Sequence, residues 1–342
     1  MSPALRPRRW WYMMKKLIAL VAVLFGLSAS VACTPDEPGY DLYATVYPLV
    51  YLLGNMTAGT GLTAGMVPGM SSHDTIADWS PKQIIAMKNA ALLVYVGANL
   101  DAQIDNQITG VFEELYDDGR LVKIENEIDF IEGVVHHHDE EESETTTTEP
   151  EAPTTLGYDP HFWVSPERML LVNDVLLAKL LAAYPDHAAQ ITANHATLET
   201  NLTELSAAYQ AAIDAGTKFM MTSTNLYGYL TADYGIESIS ISPGYHEETE
   251  QFTAQHKQEI VDDAILRGVR YIIYEKNASS PLSEAVIASL NQSGLDYVVG
   301  KLDFNIMDTV PSDGSTYIQI MYLNLQSIVT ATTLIIDVNS AR

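Results

Sequence analysis

The sequence predicts an α/β protein of two lobes, each a mostly parallel sheet flanked by helices, joined by one long backbone helix. Three observations carry that expectation. Short apolar runs alternate with helical segments twice, across residues 42–124 and again from residue 218 onward, and strands separated by helices build parallel sheets covered on both faces. Between the two series a helical pattern runs from Pro185 to Gly216, and a helix of that length, at ~1.5 Å per residue, spans a whole domain. The chain has 342 residues, 47% of them apolar, which exceeds the usual size of a single core.

Taken in order, Arg6, Arg8, Arg9, Lys15 and Lys16 precede an apolar run from Leu17 to Ala32 that meets Cys33, the only cysteine. A cationic start, a short apolar segment and small residues at Ser30 and Ala32 read as a secretory signal over 1–33, with Cys33 as the lipid-attachment site. The run is shorter than the ~20 residues a spanning helix needs. A lipidated Cys33 leaves no thiol for a disulfide or a cysteine metal site. Residues 34–41, with Pro35 and Pro38 among acids, read as a tether. The net charge of −26 repels nucleic acid and favours cations.

The first lobe is expected over 42–185. Strands are predicted at Tyr43–Tyr47, Leu62–Val67, Ala91–Val96 and Leu121–Ile124, with helices from Pro48, Ser80 and Asn99. Ser80-Pro81 is a strong helix start, serine capping and proline in the first turn. Residues 125–156 break the pattern with His136, His137 and His138, an acidic block, the threonine run Thr145–Thr148, and Pro150 and Pro153. So polar a stretch buries too little surface to offset its ordering entropy, and it is expected to be disordered. Ser165-Pro166 starts a helix to Tyr184, and the linker helix occupies 186–216.

The second lobe is expected over 217–342. Strands Lys218–Ser223, Ile236–Ile241, Tyr271–Tyr274 and Tyr297–Val299 alternate with helices Asn225–Tyr234, Thr249–Arg267, Ser280–Gln292 and a last one after Asp313-Gly314-Ser315. Ligands of such sheets gather at the C-terminal ends of the strands, so a site is expected in the cleft between the lobes.

Two histidines sit in short rigid turns: His73 in Pro68-Gly69-Met70-Ser71-Ser72-His73-Asp74 and His161 in Asp159-Pro160-His161-Phe162-Trp163. A histidine so held presents one ring nitrogen to a metal in a constant geometry. Either alone reads as an ordinary turn histidine; the pair points to a divalent cation. His187, His195 and His256 lie on helical stretches among polar residues and are expected at the surface. Three adjacent histidines cannot all face one ion tetrahedrally, so His136–His138 are expected to collect metal weakly and multiply.

Pro68-Gly69 before His73 with Trp79-Ser80-Pro81 after it, Asp159-Pro160-His161-Phe162-Trp163 with Pro166, Phe219-Met220-Met221-Thr222-Ser223, Tyr227-Gly228-Tyr229, and Glu275-Lys276-Asn277-Ala278-Ser279-Ser280 together resemble the metal-binding lipoproteins of zinc and manganese ABC importers, periplasmic solute-binding proteins. The resemblance spans about residues 42–338. It implies a monomeric extracytoplasmic receptor, lipid-anchored to the membrane, that captures Zn²⁺ between its lobes and delivers it to an ABC permease, without catalysis. His73 and His161 would be the ligands of the first lobe, and Asp303, in Lys301-Leu302-Asp303-Phe304, the aspartate of the second. The acidic histidine loop is similar to that of the zinc members, with Mn²⁺ the alternative cargo.

Where zinc members of that family carry histidine and manganese members glutamate, this chain reads Thr224. A neutral hydroxyl is a poor zinc ligand. Three arrangements follow: His246 or Glu247 replaces it, water completes the site, or the site is weakened. His246 is favoured, because it follows strand Ile236–Ile241 and so belongs to the same sheet edge as residue 224. Glu275 reads either as a partner that orients a histidine or as a helix-capping acid.

Two other classes are weighed. Two histidines and a carboxylate with an open position also describe a zinc hydrolase, but no His-Glu-x-x-His helix or nucleophile elbow accompanies them. A surface adhesion lipoprotein with structural metal is the second.

Overall fold

The alternation of apolar runs becomes two separate four-stranded parallel sheets. The computed structural model describes residues 39–70, 77–134, 156–245 and 253–333, and the chain from Tyr40 onward is one compact unit. In the first sheet β1 (Leu42–Ala44), β2 (Ala64–Met66), β3 (Leu92–Tyr95) and β4 (Leu121–Lys123) lie in the order β2-β1-β3-β4. Leu42 pairs with Ala64 on one side and Leu92 on the other. Every residue of β1 and β3 is buried, as near-continuous apolar strands covered on both faces must be.

A short antiparallel pair, β5 (Glu132–Val134) with β6 (Leu156–Tyr158), follows. In the second sheet β7 (Phe219–Thr222), β8 (Glu237–Ser240), β9 (Tyr271–Glu275) and β10 (Gly300–Phe304) are ordered β10-β9-β7-β8.

Helices α1 (Tyr47–Met56) and α2 (Pro81–Asn89) cover the first sheet. The serine cap works as the sequence suggests: Ser80 Oγ accepts the Gln83 N–H, and the Gln83 side chain accepts the Ser80 N–H at 2.9 Å, closing a capping box. The helix expected from Asn99 is instead two short ones, α3 (Ala102–Asp105) and α4 (Glu113–Asp117). Gly97, Ala98 and Asn99 all take positive φ, so the chain turns there rather than coiling.

Helices α5 (Pro166–Ala183) and α6 (Ala188–Ala215) run consecutively, separated by a 3-10 turn at Pro185–His187. The linker helix therefore starts at Ala188, with 28 residues. It buries Ile191, His195, Leu198, Leu202, Leu205, Tyr209 and Ile213, one stripe at three- and four-residue spacing. Helices α7 (Gly228–Tyr234), α8 (Ala254–Leu266), α9 (Pro281–Gln292) and α10 (Tyr317–Thr332) complete the second half.

One continuous apolar core joins both halves, running from Leu42 and Leu49 through Leu202 and Tyr209 to Ile273 and Phe304. Smaller clusters sit on the outer faces of each sheet. Helix α6 packs on α1, α5 and α10, and α1 and α10 in turn cover the first and the second sheet.

Three local expectations are corrected. Residues 125–134 are ordered, with a 3-10 turn at Ile124–Asn126 and then β5. Glu125 pairs with Lys123 at 2.9 Å, Glu127 with Lys179 at 2.6 Å, and Ile128, Phe130 and Ile131 pack on the core; those apolar residues supply what the acids around them lack. The histidines 136–138 lie outside the described residues. The last strand starts at Gly300 instead of Tyr297, because the Asn291 side chain takes both the N–H and the C=O of Val299, at 2.7 and 3.1 Å, leaving Gly300 to open the ladder. His195 is buried, its Nε2 2.9 Å from Asp174 Oδ1.

Candidate metal centre

The centre is built on the turn after β6. Asp159-Pro160-His161 leads into a 3-10 turn at Phe162–Val164, and the His161 side chain is fully buried. Asp159 Oδ1 accepts the His161 backbone N–H at 2.9 Å and lies 2.7 Å from Nδ1 of the ring. A carboxylate in that place holds the proton on Nδ1, which makes Nε2 the atom the ring offers to a metal. The Tyr245 ring meets the imidazole edge-on with centroids 4.7 Å apart, and Trp163 lies 5.4 Å away on another side.

Asp159 is itself held. Its C=O accepts the Tyr229 hydroxyl at 2.7 Å. Gly228 passes so close that a Cβ there would lie 2.9 Å from Asp159 Oδ2 and 2.8 Å from Ile131 Cδ1. Glycine is required at that spot by close approach alone.

From the second half two carboxyls, Glu275 at the end of β9 and Asp308 beyond β10, interact electrostatically with this imidazole. Glu275 ends β9; burial pushes its carboxyl up to about 7, with Asp308 pushing the same way and His161 opposing. Asp308 is also raised by burial, against the amides of Thr309 and of Asp308 itself and the imidazole of His161. Burial disfavours the charged form of each acid, and the Asp308 charge disfavours it further at Glu275. A cation between them would relieve both costs.

The structure does not bring Asp303 to this place. Asp303 pairs with Tyr274 inside the β9–β10 ladder, is exposed, and lines an outer groove with Lys276 and Asp313. The strand runs on to Phe304, so the C-terminal edge of the sheet begins after it. Asp308 is the first acid beyond that edge. The resemblance pointed to Asp303, and the ladder register, which places it inside β10, takes it away from the strand end.

Thr224 is buried just beyond β7, and its Oγ1 has no hydrogen-bond partner among the described residues. The next residue, Asn225, donates its N–H to the Gly244 C=O at 2.9 Å, which ties this turn to the loop carrying Tyr245. His73, His246 and Cys33 fall outside the described residues. Among the described residues no three His, Cys, Asp or Glu side chains lie close enough to hold a metal by themselves.

Two parallel sheets flanked by helices, one long helix, a buried imidazole and two carboxyls raised by burial together describe an α/β solute-binding protein. The chain belongs to the ZnuA family, described as zinc-uptake complex component A, periplasmic, whose model matches residues 42–331. It is similar to zinc-binding protein AdcA of Streptococcus pyogenes, with 26% identity over 318 residues covering 91% of this chain and 60% of AdcA. The high-affinity zinc uptake system protein ZnuA of Haemophilus ducreyi is 30% identical over 225 residues, 60% of this chain and 69% of that one. In fold the chain is similar to the metal-dependent lipoprotein YcdH from Bacillus subtilis, with a TM-score of 0.66 at 19% identity, covering 86% of this chain and 99% of YcdH. The chain spans about 60% of the length of the AdcA relatives. The family is one of uptake components and not of enzymes.

Proposed function

We propose that this protein is the extracytoplasmic receptor of an ABC-type zinc importer, anchored through Cys33, capturing Zn²⁺ as a monomer and handing it to a membrane permease. The observation that carries the proposal is the buried His161, its Nδ1 committed to Asp159, opposed by the raised carboxyls of Glu275 and Asp308. The family and the zinc-binding names of its relatives support zinc as cargo. Among the described residues no helix is long and apolar enough to cross a membrane.

The ligand set we propose is His161 and Asp308 with His73, and His246 at the position that Thr224 leaves open. Support for His246 comes from its neighbours: Tyr245 packs on the His161 ring, and Gly244 is bonded to the residue after Thr224. Glu275 neutralises charge beside the ion. His136, His137 and His138 act as a weak collector in front of the site.

Native mass spectrometry of the chain from Thr34 onward, after exposure to mixed zinc and manganese, tests the proposal. One zinc per chain held tightly is expected. Material that stays empty in micromolar zinc refutes it, and a single manganese in its place makes the cargo manganese.

A further inference from the structure

We propose that Asn305 and Asn324 are positioning residues that aim the Asp308 carboxyl at the metal, an inference that rests on the receptor reading above. Beyond Phe304 the β10 ladder has ended, and a peptide there would lose its partners. Asn324, buried on α10, supplies both: its Nδ2 donates to the Asn305 C=O at 2.8 Å, and its Oδ1 accepts the Asn305 N–H at 2.8 Å. One side-chain amide thus takes the part of the missing strand.

The clamp continues along the loop. Ile306 C=O accepts the Trp163 indole N–H at 2.5 Å, from the residue two places after His161. Asn305 Oδ1 accepts the Met307 N–H at 2.9 Å, closing an Asx turn. Met307 is buried and takes φ of +58°, a left-handed conformation that a residue with a Cβ keeps only where its surroundings over-determine it. The three residues ahead of Asp308 are therefore each fixed by a named side chain. The direction in which Asp308 leaves the loop is set by the Asn305 turn, and the place of the turn by Asn324.

Zinc affinity of the full mature chain, read by competition with a chromophoric chelator in a double-mutant cycle, tests this. Asn305→Ala is expected to weaken zinc binding about tenfold, with Asn305→Asp, which keeps the acceptor for Met307, recovering most of it. In the Asp308→Asn background the same Asn305→Ala change should cost less than twofold. Asn324→Ala is expected to behave likewise, and circular dichroism of the metal-free variants checks that they are folded. The proposal is overturned if Asn305→Ala leaves affinity unchanged in the parent chain, or costs as much without Asp308 as with it. A parent chain that binds no zinc refutes the receptor reading itself, whereas Asp308→Asn weakening zinc while Asn305→Ala does not refutes the positioning role alone.

Discussion

One carboxylate oxygen, Asp159 Oδ1, takes both the backbone N–H and the ring Nδ1 of His161, at 2.9 and 2.7 Å. Two bonds to one atom fix the turn and the rotation of the imidazole together. Removing that anchor should free the ring without touching a proposed ligand. Asp159→Ala is expected to weaken zinc 10- to 100-fold, measured by chelator competition; an unchanged affinity would show that the ring is oriented by other means.

Glu275 dictates a pH dependence. Its carboxyl is raised from 4.5 to about 7 in the fold, so the folded chain favours the protonated form. A raised acid costs nothing below its unfolded pKa, and stability falls as pH climbs through the window from 4.5 to about 7. Glu275→Gln imitates the protonated state. It should raise metal-free stability at pH 8 by about 2 kcal/mol, allowing for partial screening, and change it little at pH 4.5. Denaturant melts at the two pH values read this directly.

Zinc should stabilise the chain by linkage. At a free concentration a hundred times the Kd the gain is about 2.7 kcal/mol, which for a domain of this size moves the Tm by roughly 5 °C. Differential scanning calorimetry with zinc, then with excess chelator, should show the shift appear and vanish. The affinity should also drop as pH falls through ~6.5, where unperturbed imidazoles protonate.

Trp163 links the histidine turn to the loop before Asp308 through its indole N–H on the Ile306 C=O. Trp163→Phe keeps most of the packing and leaves that carbonyl without its donor, at a cost of about 1–3 kcal/mol. The expected result is a lower Tm together with weaker zinc binding. A lower Tm with unaltered affinity would make the contact purely structural.

Deleting residues 136–154 removes the histidines and the acidic block while sparing β5 and β6. One tight zinc site should survive in calorimetric titration, and the weak sites should disappear. Loss of the tight site would place a ligand within the deleted stretch.

Much of the molecule is legible from covalent neighbours. Alternating apolar runs are enough to predict two parallel sheets, since burial on both faces demands them; Ser80-Pro81 declares a helix start; and Asp159 stands two residues from His161, so their contact needs no fold to bring it about. The long helix is legible from its stripe. Sequence alone also fixes the acidic charge and the position of Cys33.

The choice between Asp303 and Asp308 was a tertiary matter. It turned on where β10 begins, which Asn291 sets by capturing Val299 across a turn, and on how Asn324 and Trp163, from distant helices and turns, hold the loop that follows. Local periodicity carries no information on either, because ladder register and side-chain clamps join residues that the chain keeps far apart. The same holds for the turns carrying Thr224 and Tyr245, which are tied by the β7–β8 ladder and its continuation in the Ser242–Ser223 and Asn225–Gly244 bonds. Sequence determined the kinds of donor available; packing of the second sheet against α10, and the loop it holds beyond β10, decided which carboxyls act on the imidazole.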